Sequence, residues 1–189
     1  MITKPHNWNE VAEFSDREKL PLDAYVCKVK QSKVQGTNSG AQLCLVFDIV
    51  EGEYTGYFNK DFQNNQNENK KWKGVLRVWL PKNDGSENDE FTKRVLKGMV
   101  TAFERSNAGY TFDWNEASLV GKTVGIMFRN EEWDYAGKNG WAVRPFRAIS
   151  ADSVRRGEYT LPKDKPLKNK QSAATNDGFT EVDDDDLPF

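Results

Sequence analysis

The chain has 189 residues, 12% of them aromatic with six Trp, and a net charge of −2, enough for one domain with a substantial core or two very small ones. No apolar run approaches the ~20 residues that cross a bilayer, and MITKPHNWNEV lacks the apolar stretch of a signal peptide, so a soluble, cytoplasmic protein is expected. Cys27 and Cys44 are the only cysteines and His6 the only histidine, too scattered for a four-ligand zinc site, so no metal and two buried free thiols are expected, a disulfide between two strands being the alternative.

Residues 1–20 read as an N-terminal extension, 21–160 as one folded domain, and 161–189 as a disordered linker with an acidic tip. In the domain, Tyr25, Cys27 and Val29 alternate with Lys28 and Lys30, a half-buried strand. A polar turn over 36–40 leads to Leu43, Leu45, Phe47 and Ile49 in a second strand. Tyr54–Phe62 reads as a third strand with a kink at Gly56, and the polar stretch 63–71 as a loop. Val75–Leu80 alternates again: Leu76, Val78 and Leu80 point inward, Arg77 and Trp79 outward. Phe91, Val95, Leu96, Met99, Val100 and Phe103 form one apolar stripe of a helix over Glu90–Ser106, started by Asn88 or Asp89 and stopped near Gly109. Two more strands, Leu119–Tyr135 and Trp141–Ile149, flank a turn at 136–140, and a short helix is expected at Ala151–Arg156. Strands, one central helix, then two strands fit a mainly β, oligonucleotide-binding five-stranded barrel with a helix between its third and fourth strands. A sandwich would not need the helix, and a ferredoxin-like fold would place one after the first strand.

Catalytic chemistry has little to stand on. Gly121-Lys122-Thr123 lacks the earlier glycine of a phosphate loop, because position 116 is Glu. Alternation sends Glu131 and Glu132 to opposite faces, so they do not share a Mg²⁺. No enzyme activity and no cofactor are expected. Binding of single-stranded nucleic acid needs aromatic faces for the bases and cations along the phosphates, and these interleave in Phe58-Asn59-Lys60-Asp61-Phe62, Lys71-Trp72-Lys73, Arg77-Val78-Trp79 and Arg144-Pro145-Phe146-Arg147. The candidate DNA-binding set is therefore Lys28, Lys30 and Lys33; Phe58, Lys60 and Phe62; Lys71, Trp72, Lys73, Arg77 and Trp79; and Arg129, Trp133, Tyr135, Lys138, Arg144 and Phe146. Phe58, Phe62 and Phe146 have the alternative of being core, and the three early lysines that of a solvated strand face. Trp72, among lysines in a polar loop, reads as a contact.

Charge separates the body from its tail. Residues 1–170 hold all 27 Lys and Arg against 23 Asp and Glu, a balance of +4, while 171–189 hold six acids and no base. The ending Asp183, Asp184, Asp185, Asp186, Leu187, Pro188 and Phe189 adds an apolar anchor to an acidic run, which suits a pocket with a basic rim on a protein partner. This ending resembles the acidic tip of bacterial single-stranded DNA-binding proteins. Phe47-Asp48-Ile49-Val50-Glu51-Gly52-Glu53-Tyr54, Leu119-Val120-Gly121-Lys122 and Arg129-Asn130-Glu131-Glu132-Trp133 resemble single-stranded DNA-binding proteins of bacteriophages that infect Gram-positive hosts. The resemblance implies the barrel fold, a role in phage DNA replication, recombination or repair within the host cytoplasm, and recruitment of replication and recombination proteins by the tip. The body is longer than that of the common bacterial protein, so tetramer formation does not carry over, and a homo-oligomer, if formed, is expected to be a dimer. The alternatives are a protein-interaction module with an acidic tail and no DNA role, and a metal-dependent nuclease.

Overall fold

Five antiparallel strands form one sheet in the order β3-β2-β1-β4-β5: β1 (Ala24–Thr37), β2 (Gly40–Ile49), β3 (Val75–Trp79), β4 (Thr123–Tyr135) and β5 (Lys138–Ile149). The structure, a computed structural model, describes residues 2–10 and 19–167, so the tip residues 183–189 lie outside the described residues. The alternation seen in the sequence is realised on the inner face. Cys27, Val29, Leu45, Phe47, Ile49, Leu76, Val124, Ile126 and Phe128 are all buried there. Phe47 sits at the centre, edge-on to Phe58 at 5.5 Å and to Phe128 at 6.3 Å between ring centroids. Both cysteines are buried free thiols, and burial pushes the Cys27 thiol well above its ordinary pKa.

One expected strand is a helix. Tyr54–Phe62 forms a turn and then α1 (Tyr57–Asn64). Gly56, at φ 73°, takes the left-handed conformation that turns the chain into the helix, and Asp48 Oδ1 accepts the Phe58 N–H at 3.0 Å. Phe58 and Phe62 are four residues apart, a spacing that puts two side chains on one face of a strand and on one face of a helix alike. Phe58 enters the core; Lys60, on the other side of the helix, is exposed. Gly74 lets β3 begin close by, since a Cβ there would stand 2.6 Å from the Phe47 carbonyl oxygen and 2.8 Å from the Phe58 ring.

The central helix α2 (Glu87–Ser106) lies between β3 and β4 and buries Leu96, Met99 and Phe103 of the expected stripe, with Ala102 beside them. Its cap is Ser86 rather than Asn88 or Asp89. Ser86 Oγ accepts the Asp89 N–H at 3.2 Å, and the buried Asp89 carboxylate reaches back to the N–H of Asn83 at 2.9 Å and of Gly85 at 3.4 Å. The Lys93 ammonium, 2.9 Å from Asp89, together with these N–H groups holds the Asp89 carboxyl below its ordinary value. The ionised form therefore favours the folded state. Its contribution is complete above the ordinary aspartate range of about 4 and is lost as pH falls through the lower folded value. Denaturant melts at pH 7 and pH 3 are expected to show a larger acid loss for the wild type than for Asp89→Asn; parallel losses would refute the assignment.

β4 begins at Thr123, not at Leu119 as expected, because Leu119 ends a 3₁₀ turn at Glu116–Leu119. The short helix α3 (Ala151–Arg156) forms where the sequence places it, capped by Ser150. The sequence ends the domain at residue 160, yet the chain stays against the sheet as far as Leu167. Tyr159 donates to Asp23. Beyond Phe128, where β1 no longer accompanies β4, Lys165 donates to Asn130 O and accepts from Glu132 N–H, both at 2.9 Å, and the Leu167 N–H donates to the Glu132 carboxylate at 3.1 Å. No helix among the described residues is long and apolar enough to cross a membrane.

Candidate nucleic-acid interface

Two bulges set the faces that matter. In β1 the pairing with β2 skips Lys30, which moves Ser32 and Val34 opposite Leu45 and Leu43 and turns Gln31, Lys33 and Gln35 outward. Across the outer face Lys33, Cys44 and Arg77 then lie abreast, followed by Gln35, Gln42 and Trp79. In β5 the pairing with β4 skips Phe146, between Pro145 and Arg147. That extra residue is re-aimed into a cavity between the sheet edges, where the Arg129 guanidinium covers its ring at 4.1 Å and Arg147 approaches at 5.6 Å.

The edge strands β3 and β5 are not joined by backbone pairing among the described residues, so the sheet is not closed. They face each other across a cleft. One cavity of about 460 Å³ opens between β3, β5 and α2; a second, of about 750 Å³, opens between α1, β3 and β5. Arg77, Glu131 and Pro145 line both, which makes them one continuous groove. Its cations are Lys19, Lys73, Arg77, Arg129, Arg144, Arg147 and Lys165, and Glu131 is its only carboxylate among the described residues. Glu131 is engaged by Arg129 at 2.9 Å and lies 3.8 Å from Arg144. Its aromatic walls are Tyr57, Trp72 and Trp141 at one end and Trp79, Phe91 and Phe146 at the other.

The groove gathers part of the expected set: Trp72, Lys73, Arg77, Trp79, Arg129, Arg144 and Phe146. Phe58 also lines it but is only 5% exposed, edge-on to Phe47 and stacked on Phe128, so it serves as core and offers no free face for a base. Trp72 is half-buried, not an open loop contact: its Nε1–H donates to the Phe47 carbonyl at 3.0 Å, Lys30 lies over its ring at 4.7 Å, and Phe62 packs at 5.7 Å. Lys30 is spoken for as well, 3.3 Å from the buried Asp48. Phe62 carries Lys70 over its ring at 4.7 Å, and Lys73 is paired with Asp61 at 3.0 Å. Arg129, 6% exposed, is a buried support for Glu131 and Phe146. Lys28, Lys60 and Lys71 are exposed outside the groove.

Trp133, Tyr135 and Lys138 lie at the far end of the β4–β5 hairpin, on either side of a two-residue turn with both Ala136 and Gly137 at positive φ. Trp133 covers its cross-strand partner Gly140, whose added Cβ would stand 3.2 Å from the indole. Tyr135 is 80% exposed and pairs with Lys138. Lys19, Tyr57, Phe91, Trp141, Arg147 and Lys165 also line the groove, outside the candidate set. Arg147 belongs to the interleaved phrase Arg144-Pro145-Phe146-Arg147, and Lys165 is a linker lysine whose charge suits DNA but whose docking on β4 no sequence pattern announces. Among the described residues no three His, Cys, Asp or Glu side chains gather as a metal-holding group. No protein-family model matches this chain, and no curated protein matches its sequence.

Proposed function

We propose that this protein binds single-stranded DNA with little sequence preference, without acting as an enzyme. Its body would be an oligonucleotide-binding barrel of the kind its phrases resemble. The strand order, with α2 between β3 and β4 and the two edge strands facing across a cleft, supports that assignment. One observation carries the functional reading: the groove gathers seven cations, of which Arg129 and Lys73 are already paired, and six aromatic side chains besides Phe58, against one carboxylate among the described lining residues, on a chain whose net charge is negative. Cations along the groove suit phosphates, and ring faces suit the exposed faces of unpaired bases, which a duplex hides within its own stack. Coating DNA during phage replication or recombination, and recruiting partner proteins through Asp183–Phe189, are the roles this proposal assigns.

Fluorescence polarisation with a dT oligomer and a duplex of equal length tests the proposal. Tighter binding of the dT oligomer, weakening steeply as salt is raised, is the expected outcome. Equal affinity for duplex, or no response to salt, would sink it.

A further inference from the structure

We infer that the smaller cavity of the groove takes one nucleobase turned out of the strand, with the adjoining phosphates on Arg77 and Arg147. This rests on the DNA-binding proposal and specifies what its site holds. At about 460 Å³ the cavity falls within the range of small-molecule sites and has room for one base ring while staying open to solvent.

Its floor is apolar: Val78, Met99 and Ala148 are each buried yet line it. Phe91 of α2 and Phe146 of β5 stand at its sides, and the guanidinium of Arg129 backs Phe146 at 4.1 Å, which holds that ring in place. An aliphatic peptide side chain would suit the floor but leave the guanidinium groups at the rim without an anion. A sugar would satisfy the rim and waste the floor. A nucleotide joins a flat apolar-faced ring to an anion within one unit, and so matches both. Arg77 lines this cavity and the larger one, is exposed, and has no ion-pair partner among the described residues. A strand entering here would place a phosphate on Arg77 and its next bases along the cavity bordered by Trp72 and Trp141.

Val95 lines the cavity from α2 and is half-buried, so Val95→Phe puts a ring into the space a base would use while leaving every cation in place. The full chain and this variant are titrated with a dT oligomer and with an oligomer of the same length made only of abasic units. The expected result is a roughly tenfold loss of dT affinity, the scale of one lost stacking partner, with abasic affinity equal to that of the wild type. Unchanged dT affinity, or equal loss toward both oligomers, would overturn the inference. Should Val95→Phe fail to fold, Phe91→Ala removes a wall instead and is held to the same comparison. Thymidine monophosphate separates the two sources of the ligand. Tryptophan quenching by the monomer in the wild type but not in the variant assigns the cavity to nucleotides in general, and no quenching assigns it to a base within a strand; selective dT loss supports the inference in both cases. Failure of the wild type to bind dT would instead overturn the DNA-binding proposal itself.

Discussion

Phe47→Ala is expected to destabilise the protein by about 3–5 kcal/mol, the range for deleting a buried aromatic from a packed core. Phe47 is fully buried, and its ring touches those of Phe58 and Phe128. The surrounding walls come from β2, β4 and α1, so the void cannot close by moving one side chain. The backbone of the same residue accepts from the Trp72 indole and donates to Gly74 O at 2.9 Å, which ties the end of the segment leading into β3 to this point. A thermal or urea melt reads the loss directly; at about 2–4 °C per kcal/mol for a body of this size, the midpoint should fall by roughly 10 °C. A shift of only a degree or two would show that the core is organised around another residue.

Arg77→Glu is expected to cut dT affinity about 10–100-fold at low salt, because it removes one phosphate contact and sets a carboxylate in the middle of the groove. The logarithmic salt slope should shrink by about 0.7, the value for one phosphate on a single strand. Arg77 is exposed on the outer face of β3, opposite Leu76 and Val78, so the melting temperature should stay that of the wild type. Lys97→Glu, the same reversal on an exposed residue of α2 that does not line the groove, is the control for net charge. Equal losses in both variants would mean that overall charge matters and the groove does not.

Period-two alternation gave the inner faces of β1, β2, β3 and β4 correctly because one side of each is buried and a slip would expose the whole apolar set. The stripe of α2 was legible for the same reason. What the alternation rule cannot carry is a bulge. One extra residue at Lys30 reverses the parity of the rest of β1, and one at Phe146 turns a ring from the strand's regular face into the cleft. Trp72 misled for a different reason. Its lysine neighbours are solvated, but the indole itself is drawn under Lys30 by a carbonyl of β2, far away in sequence. The Arg77–Trp79 pair, on a strand that already sends Leu76 and Val78 inward, was the sequence's most reliable pointer to the groove.

The segment around Lys165 has a consequence for how the molecule behaves in a crowd. β4 outruns β1, and past Phe128 its outer edge would offer the Glu132 N–H and the Asn130 carbonyl to any extended chain that came near. Residues 165–167 occupy that edge from within the same molecule. Cutting the chain before Pro162 to obtain a tail-free body would uncover it, and a free sheet edge is a template on which copies pair and precipitate. A cut after Leu167 removes the acidic tail and keeps the edge guarded.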